Sequence, residues 1–576
     1  AQAELSGIAA RLAATDERKM TAGYRLRVAP LQADLTAGVR PIVIALLGAV
    51  GFVLLIACAN VSNLLLVRAA AREREIAVRA ALGGSRFRIV RQVLTESLTL
   101  ALLGALLGTG LAAVGIRVLL ALQPGDIPRL DSVSIDGTVL ALAAAAALIS
   151  ALVFGALPAL QASRPDLGRS LKDRGHAAGA RAHGLVRAGV VITEVALSLV
   201  LLIGAGLMLR SFAALREIDP GFEPTNALTF AVPLPQARYP TAEARATFDR
   251  QLHDRLAALP EVESVTATQA LPLSQQMPLG PYGAEAASID LQHLRQAYVQ
   301  TVLPGYFETM RTRIVEGRAF TPADNADSAA VVVVDRVLAE KTWPGESAIG
   351  QRLLTRWFTQ DYIWVEVVGV AEHQRHTTLS AENREGVYFP DRFVGSAGLK
   401  TWVLRTTGDP LRAVPAARAE IAALDALLPM SNVRPLHDFV RDAMGATRFA
   451  LALIAIFAIA ALVLAAVGLY GVIAYMVRQR TAEIGVRMAF GARPRAILEM
   501  IVGQGLRLAA AGILIGLVAA FALTRVLASQ LVGIGATDPM TFATVALAFA
   551  LVTAIACYVP ARRATRIDPV VALREE

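Results

Sequence analysis

Cysteine is nearly absent from this chain. Only Cys58 and Cys557 occur in 576 residues, both within apolar runs, which leaves no basis for a disulfide framework or a cysteine metal site. Lysine is almost as scarce, at Lys19, Lys172, Lys341 and Lys400, so the basic residues are nearly all arginine. Charged residues make up 18% of the chain against 55% hydrophobic, a balance too apolar for a soluble protein of this length. The sequence has no G-x-x-x-x-G-K-[ST] phosphate loop, and without one these residues cannot hydrolyse ATP by the P-loop route. H-E-x-x-H and G-x-S-x-G are missing as well. No charged n-region leading into an apolar h-region opens the sequence, so no signal peptide is legible.

What the chain has in quantity is long uncharged apolar sequence. Seven runs, near 42–66, 98–122, 138–160, 188–209, 449–475, 506–528 and 539–559, match the roughly 20 helical residues that cross about 30 Å of hydrocarbon. Arginines crowd alternate connections: 68–91, 164–187, 478–495 and the tail after 562 are basic, whereas 123–137 has only Arg129 and 529–538 has no basic residue. The positive-inside rule then places the basic loops and the C-terminus in the cytoplasm, and residues 211–447 and the first 40 outside. The formal net charge of +9 therefore suits topology and an anionic lipid bilayer, and nucleic acid is not an expected partner.

The chain repeats itself. REREIAVRAALG at 72–83 returns as RTAEIGVRMAFG at 480–491, so that Arg72, Glu75, Arg79 and Gly83 recur as Arg480, Glu483, Arg487 and Gly491 at a constant offset of 408. A second echo links Pro158-Ala159, Arg164 and Asp166 to Pro560-Ala561, Arg566 and Asp568. Both echoes fall just after equivalent spans, which points to a duplicated module. The second copy reads as one span, an outside domain, then three spans. The first copy has three spans preceded by 1–40, which resembles 416–447, and this implies that a further span and most of a first outside domain precede the residues present. The resulting partition is 1–40, the tail of a truncated first periplasmic domain; 41–175, the first permease module; 176–210, a cytoplasmic elbow and the first helix of the second module; 211–447, the periplasmic domain; and 448–576, the second module. The fold class is a polytopic α-helical membrane protein with about seven transmembrane helices and one large α/β extracytoplasmic domain.

That outside domain shows strand patterns at 226–235, 262–270, 402–405 and 431–434, with helical patterns at 241–258 and 410–427. Two separated β-α-β arms suit a split α/β sandwich. Between them, runs at 329–334 and 362–370 among turn residues predict a β-rich insert. All four tryptophans lie in this domain. His373 and His376 form an H-x-x-H without a visible third ligand, so they are expected in a surface loop and no metal is expected. The glycine-rich stretch 103–110 lies inside a span, where close helix packing explains it better than phosphate binding.

The repeated cytoplasmic segment carries the strongest functional signal. On a helix, Arg72, Glu75 and Arg79 form one polar stripe with Glu75 and Arg79 in the favourable i,i+4 order, while Ile76, Val78 and Leu82 offer apolar surface. Gly83 and Gly491 end the helix, and Pro494 suits the first turn of the next. Such a helix either anchors topology or docks a protein, and its recurrence charge for charge supports docking. Within the spans, Glu194 is an intramembrane carboxyl that either relays coupling or pairs with an arginine such as Arg187. Asn60 and Asn63 are expected to hydrogen-bond between helices.

The segments NVSNLLLVRAAAREREIAVRAALGGSRFRIVRQVLTES and EIGVRMAFGARP resemble the permease signature of the MacB/FtsX/LolC superfamily of ABC transporters. The duplicated arrangement, with GVVITEVALSLVLLIGAGLMLRSF opening the second copy, is similar to the acidobacterial-type duplicated orphan permeases. This resemblance implies a bacterial inner-membrane permease driven by a separate cytoplasmic ABC ATPase. That partner would bind ATP and Mg, so no cofactor is expected in this chain. It also implies coupling loops at the repeated segments, and a periplasmic adaptor or substrate protein as a further partner. Export from the periplasm or outer leaflet is the leading reading. The alternative is an FtsX-like regulator that activates an extracytoplasmic partner such as a cell-wall hydrolase. A membrane-embedded enzyme lacks any catalytic constellation.

Overall fold

The computed structural model describes residues 2–15, 28, 30–31, 40–71, 86–121, 135–162, 178–274, 277–284, 294–326, 330–357, 362–380, 384–394, 398–490 and 492–565. The chain forms two compact units, one of residues 36–214 with 446–576 and the other of 1–35 with 215–445.

The first unit is helical. Its helices are α1 (Arg40–Ala71), α2 (Arg86–Ala121), α3 (Gly137–Ala162), α4 (Ala178–Glu217), α5 (Gly445–Gln479), α6 (Thr481–Ala489), α7 (Pro494–Leu523) and α8 (Pro539–Ala564). Six contain stretches long and apolar enough to cross a membrane: Arg40–Asn63, Leu98–Val118, Ala188–Glu217, Thr447–Gln479, Pro494–Val526 and Pro539–Arg563. The remaining expected span falls on α3, a 26-residue helix whose described apolar stretch is Gly137–Ile149. Local chemistry sets the helix starts. Pro494 and Pro539 occupy first-turn positions, where the missing N–H is no loss, and Asp538 caps α8 by accepting from the Thr541 N–H at 2.9 Å.

The core of this unit runs along α4. Val191, Val195, Leu199, Ile203 and Leu207, repeating nearly every four residues, are buried against Leu469 and Ile473 of α5, Ile501 and Ala520 of α7, and Phe549 and Cys557 of α8. Lipid tails are as apolar as these side chains, so close packing rather than water exclusion must hold such helices together. Glycines on α7 make that packing close. A methyl group at Gly512 would stand 2.5 Å from Val195 Cγ1 and 3.0 Å from the Ile192 carbonyl oxygen, and one at Gly516 would stand 3.0 Å from Ala196 Cα. Among the described residues, the similar packing expected for 103–110 is not found: methyl groups at Gly104, Gly108 and Gly110 would touch nothing within 4 Å, and Leu103, Leu106 and Leu107 are exposed. The 408-residue offset pairs Gly104 with Gly512 and Gly108 with Gly516, so one small-residue face is covered in the second copy and open, among the described residues, in the first.

The second unit is a mixed sheet with helices. Its strands are β1 (Ala227–Pro233), β2 (Val262–Thr268), β3 (Leu279–Ala284), β4 (Arg295–Val302), β5 (Ile314–Gly317), β6 (Val331–Asp335), β7 (Arg352–Thr355), β8 (Ile363–Ala371), β9 (Gly386–Pro390), β10 (Leu399–Thr406) and β11 (Ser431–Pro435). They order as β11-β1-β10-β2-β4-β3-β7-β8-β6-β9, with β5 on β8. In the antiparallel arm β11-β1-β10-β2, the helices Ala242–Ala257 and Val414–Leu424 cover one face. Phe248, Leu252 and Leu256, four residues apart, meet Phe230, Trp402 and Leu404 there. Thr241 starts the first of those helices by accepting from the Ala244 N–H. The insert is β-rich as expected, and β4 also pairs in parallel with β9, so β4-β3-β7-β8-β6-β9 closes into a ring. Val332, Val334, Val365, Val367, Trp343 and Phe389 fill it.

Candidate functional site

The second copy of the repeated segment forms α6, a separate short helix between two spans. Ile484, 1% exposed, anchors it in the helical core, and Arg487 Nη1 lies 3.1 Å from Met500 Sδ on α7. The predicted polar stripe is present on the other side. Glu483 Oε1 accepts from Arg487 Nη2 at 2.6 Å, and Arg480 Nε stands 4.0 Å from Glu483 Oε2. All three side chains are about half exposed, and pairs in that setting contribute at most about 1 kcal/mol to stability. Beside them Val486 is 41% and Phe490 88% exposed. Phe490, at the C-terminal end of α6, is the 408-residue equivalent of Leu82, one of the apolar positions of the first copy, and Val486 is the equivalent of Val78. Arg72, Glu75, Arg79, Gly83 and Gly491 lie outside the described residues.

Within the spans, Glu194 on α4 is buried and its partner is Asn60 on α1. Asn60 Nδ2 donates to Glu194 Oε1 at 2.6 Å and to the Leu464 carbonyl of α5 at 2.9 Å. One amide thus joins α1 of the first copy to two spans of the second. The bond predicted for Asn60 is present, while the alternative Glu194 partner, Arg187, has a side chain outside those described. Asn63 is buried, and among the described residues its Oδ1 has no hydrogen-bond partner. The pair fits because α5 carries Gly468 there. A methyl group on Gly468 would stand 2.5 and 2.6 Å from the two Glu194 carboxylate oxygens and would overlap Asn60 Oδ1. Gly468 is also the 408-residue equivalent of Asn60, so equivalent positions of the two copies face each other with unlike residues.

In the extracytoplasmic unit the two histidines are not on a surface loop. The His373 side chain is 8% exposed and His376 is 4% exposed, and Asp335 from the end of β6 joins them. Asp335 Oδ1 caps the helix Arg336–Thr342 through the Leu338 N–H at 2.8 Å, and Oδ2 lies 2.6 Å from His373 Nδ1. Burial raises the Asp335 carboxyl above its ordinary pKa, against the opposing effect of the His373 hydrogen bond. Burial, with the His373 charge as a lesser cause, pushes His376 down to about 3, so its ring is neutral at physiological pH. One donor atom from each of the three residues lies within 4.8 Å of the others. The sequence signal available was the strand-ending Val331-Val332-Val333-Val334-Asp335, an acidic cap whose distance from His373 in the chain hid the meeting.

Two family descriptions match. The FtsX-like permease C-terminal domain matches twice, at 47–167 and 455–569, with starts separated by the same 408 residues as the repeat, and the MacB-like periplasmic core domain matches 185–424. The chain belongs to the MacB/FtsX-type ABC transporter permease superfamily. Relatives of this permease include the macrolide export ATP-binding/permease protein MacB of Marinobacter nauticus, 28% identical over 46% of this chain and 41% of that one. The pyoverdine export ATP-binding/permease protein PvdT of Pseudomonas putida is 33% identical over 46% of this chain and 40% of its own. The chain thus spans about 40% of the length of these relatives. Among solved structures, the periplasmic region of MacB from Actinobacillus actinomycetemcomitans aligns with 38% of this chain and 94% of that one, at 15% identity and a TM-score of 0.25.

Proposed function

We propose that this permease is the membrane subunit of an ATP-driven export system, with a separate ATPase docking on the two copies of the repeated segment from the cytoplasmic side. The observation that carries the reading is the face of α6. Its charges contribute little to stability, Ile484 fixes the helix to the bundle, and Val486 and Phe490 stay exposed beside the Glu483–Arg487 pair. An apolar patch rimmed by paired charges suits a protein partner. Two helices, α4 and α5, lead from the helical unit into the extracytoplasmic unit along the chain, so a push at the cytoplasmic side has covalent routes outward. The names of the relatives, which pair ATP-binding with permease and specify export, support the same assignment. The orientation, with 211–447 outside and the C-terminus in the cytoplasm, rests on the arginine-rich loops.

The test is co-purification from native membranes in mild detergent. An ABC ATPase is expected with the wild-type chain, and Glu75→Arg combined with Glu483→Arg is expected to release it while membrane insertion persists. Undiminished ATPase recovery by the double variant would remove the docking assignment. Recovery of an extracytoplasmic hydrolase with no ATPase would instead favour the regulator.

A further inference from the structure

We propose that Asp335, His373 and His376 bind a single transition-metal dication of the zinc class in the extracytoplasmic unit. The three residues come from different places in the fold. Asp335 ends β6, the histidines follow β8, and the start of β9 passes beside them at Gly386. Two nitrogens and a carboxylate oxygen form a donor set for zinc-like ions, whereas calcium and magnesium take oxygen.

His376 gives the decisive observation. It is 4% exposed, and neither Nδ1 nor Nε2 has a hydrogen-bond partner among the described residues. A neutral imidazole carries one donor and one acceptor, and burying either unpaired costs about 1–3 kcal/mol. A metal would take up the acceptor lone pair. The second observation is the space this ring faces. A methyl group on Gly386 would stand 2.8 Å from His376 Nε2 and 3.2 Å from Asp335 Oδ2. Both atoms therefore face the same cradle, which any other residue would fill. The third is Asp335 itself, whose Oδ2 lies 2.6 Å from His373 Nδ1, so that carboxylate and imidazole already meet at one point. The donor atoms lie within 4.8 Å of one another, against about 3.3 Å between ligands on a tetrahedral ion with 2.0–2.1 Å bonds. Side-chain rotation covers that difference. Three protein ligands leave a fourth position for water, on the side of a small cavity lined by Tyr298, Arg375, Thr377 and Arg384. The bound ion would tie the segment after β8 to the end of β6.

The experiment uses the full chain, purified in detergent without a polyhistidine tag, stripped with chelator and dialysed against zinc. Metal is counted per chain by mass spectrometry, with cobalt as a visible-absorption probe of the ligand set. The expected result is one zinc per chain, a four-coordinate cobalt spectrum, and a rise in Tm on adding zinc. His373→Ala and His376→Phe should each weaken zinc binding at least about tenfold. Gly386→Ala should do the same with every ligand present, while His253→Ala should change nothing. If a variant fails to fold, the wild-type chain decides alone. A folded wild type that takes up no stoichiometric zinc, or a His373→Ala/His376→Phe double variant that still holds it, overturns the proposal. None of these readouts involves the ATPase, so the docking assignment stands or falls separately.

Discussion

Gly468 shows how much one missing side chain decides inside a membrane. Asn60 and Glu194 share the space that a Cβ on α5 would occupy, so Gly468→Ala must displace a buried hydrogen-bonded pair. Interhelical hydrogen bonds in membranes contribute about 0.6 kcal/mol on average and up to about 1.7, and the steric displacement adds to that. Gly468→Ala is therefore expected to lower the thermal stability of the helical unit in detergent. Glu194→Gln keeps an acceptor for Asn60 and should be tolerated, whereas Glu194→Leu should not. Equal stability for Gln and Leu at 194 would show that the bond contributes nothing. A carboxylate outside the membrane gives a pH prediction. Asp324 accepts from Arg318 at 2.6 and 3.0 Å and from the Thr321 N–H at 2.7 Å. The Arg318 hydrogen bond is the largest cause holding its carboxyl at about 2, below the ordinary 3.8. A depressed folded-state pKa contributes stability that is fully present above about 3.8 and lost as the pH falls through about 2. Asp324→Asn should thus lower the unfolding temperature of the extracytoplasmic unit at neutral pH, with the gap to wild type closing in strong acid. At this scale the sequence was only half legible. Glu194 stood out as an acid in an apolar run, but its partner depends on how α1 is turned toward α4, which hydropathy does not encode. His376 read as a surface residue because Asp335, which meets the two histidines at the end of β6, is remote from them in the chain.

Elements were the most legible level, because span length, helix caps and alternating strands are local properties. The expected helix at 241–258 and the strands at 226–235 and 262–270 all appear within a few residues of their predicted bounds. What stayed hidden was how elements meet. The parallel pairing of β4 with β9 joins residues nearly ninety positions apart, and no periodicity announces it. The glycine faces are the second case. Gly512 and Gly516 receive α4 closely, and their equivalents Gly104 and Gly108 receive nothing within 4 Å among the described residues. Gly512→Leu should therefore destabilise this 576-residue chain, because the new side chain must enter the space of Val195 and Ile192. Gly104→Leu should leave its stability unchanged. Thermal unfolding of the two variants in the same detergent checks this. An equal loss at both positions would mean that the first-copy face is covered by a helix, as the second-copy face is.

For the whole molecule, the duplication and the arginine loops jointly predict topology. The two FtsX-like matches start one repeat length apart, and four expected spans separate those starts, so homologous loops of the two copies are predicted to lie on the same side of the membrane. The arginines predict that this side is the cytoplasmic one. The near absence of cysteine makes the prediction easy to test, since Cys58 and Cys557 are both buried within spans. In a Cys58→Ala/Cys557→Ala background, single cysteines in the loops report sidedness to a membrane-impermeant maleimide on intact cells. Arg480→Cys should label only after permeabilisation, and so should Arg72→Cys in the first copy. Glu261→Cys, beside β2 in the extracytoplasmic unit, should label without it. If Arg480→Cys and Arg72→Cys label on opposite sides, the copies are inverted and cannot present two equivalent docking faces to one ATPase pair. If both label from outside, the docking proposal fails whatever the chemistry of α6.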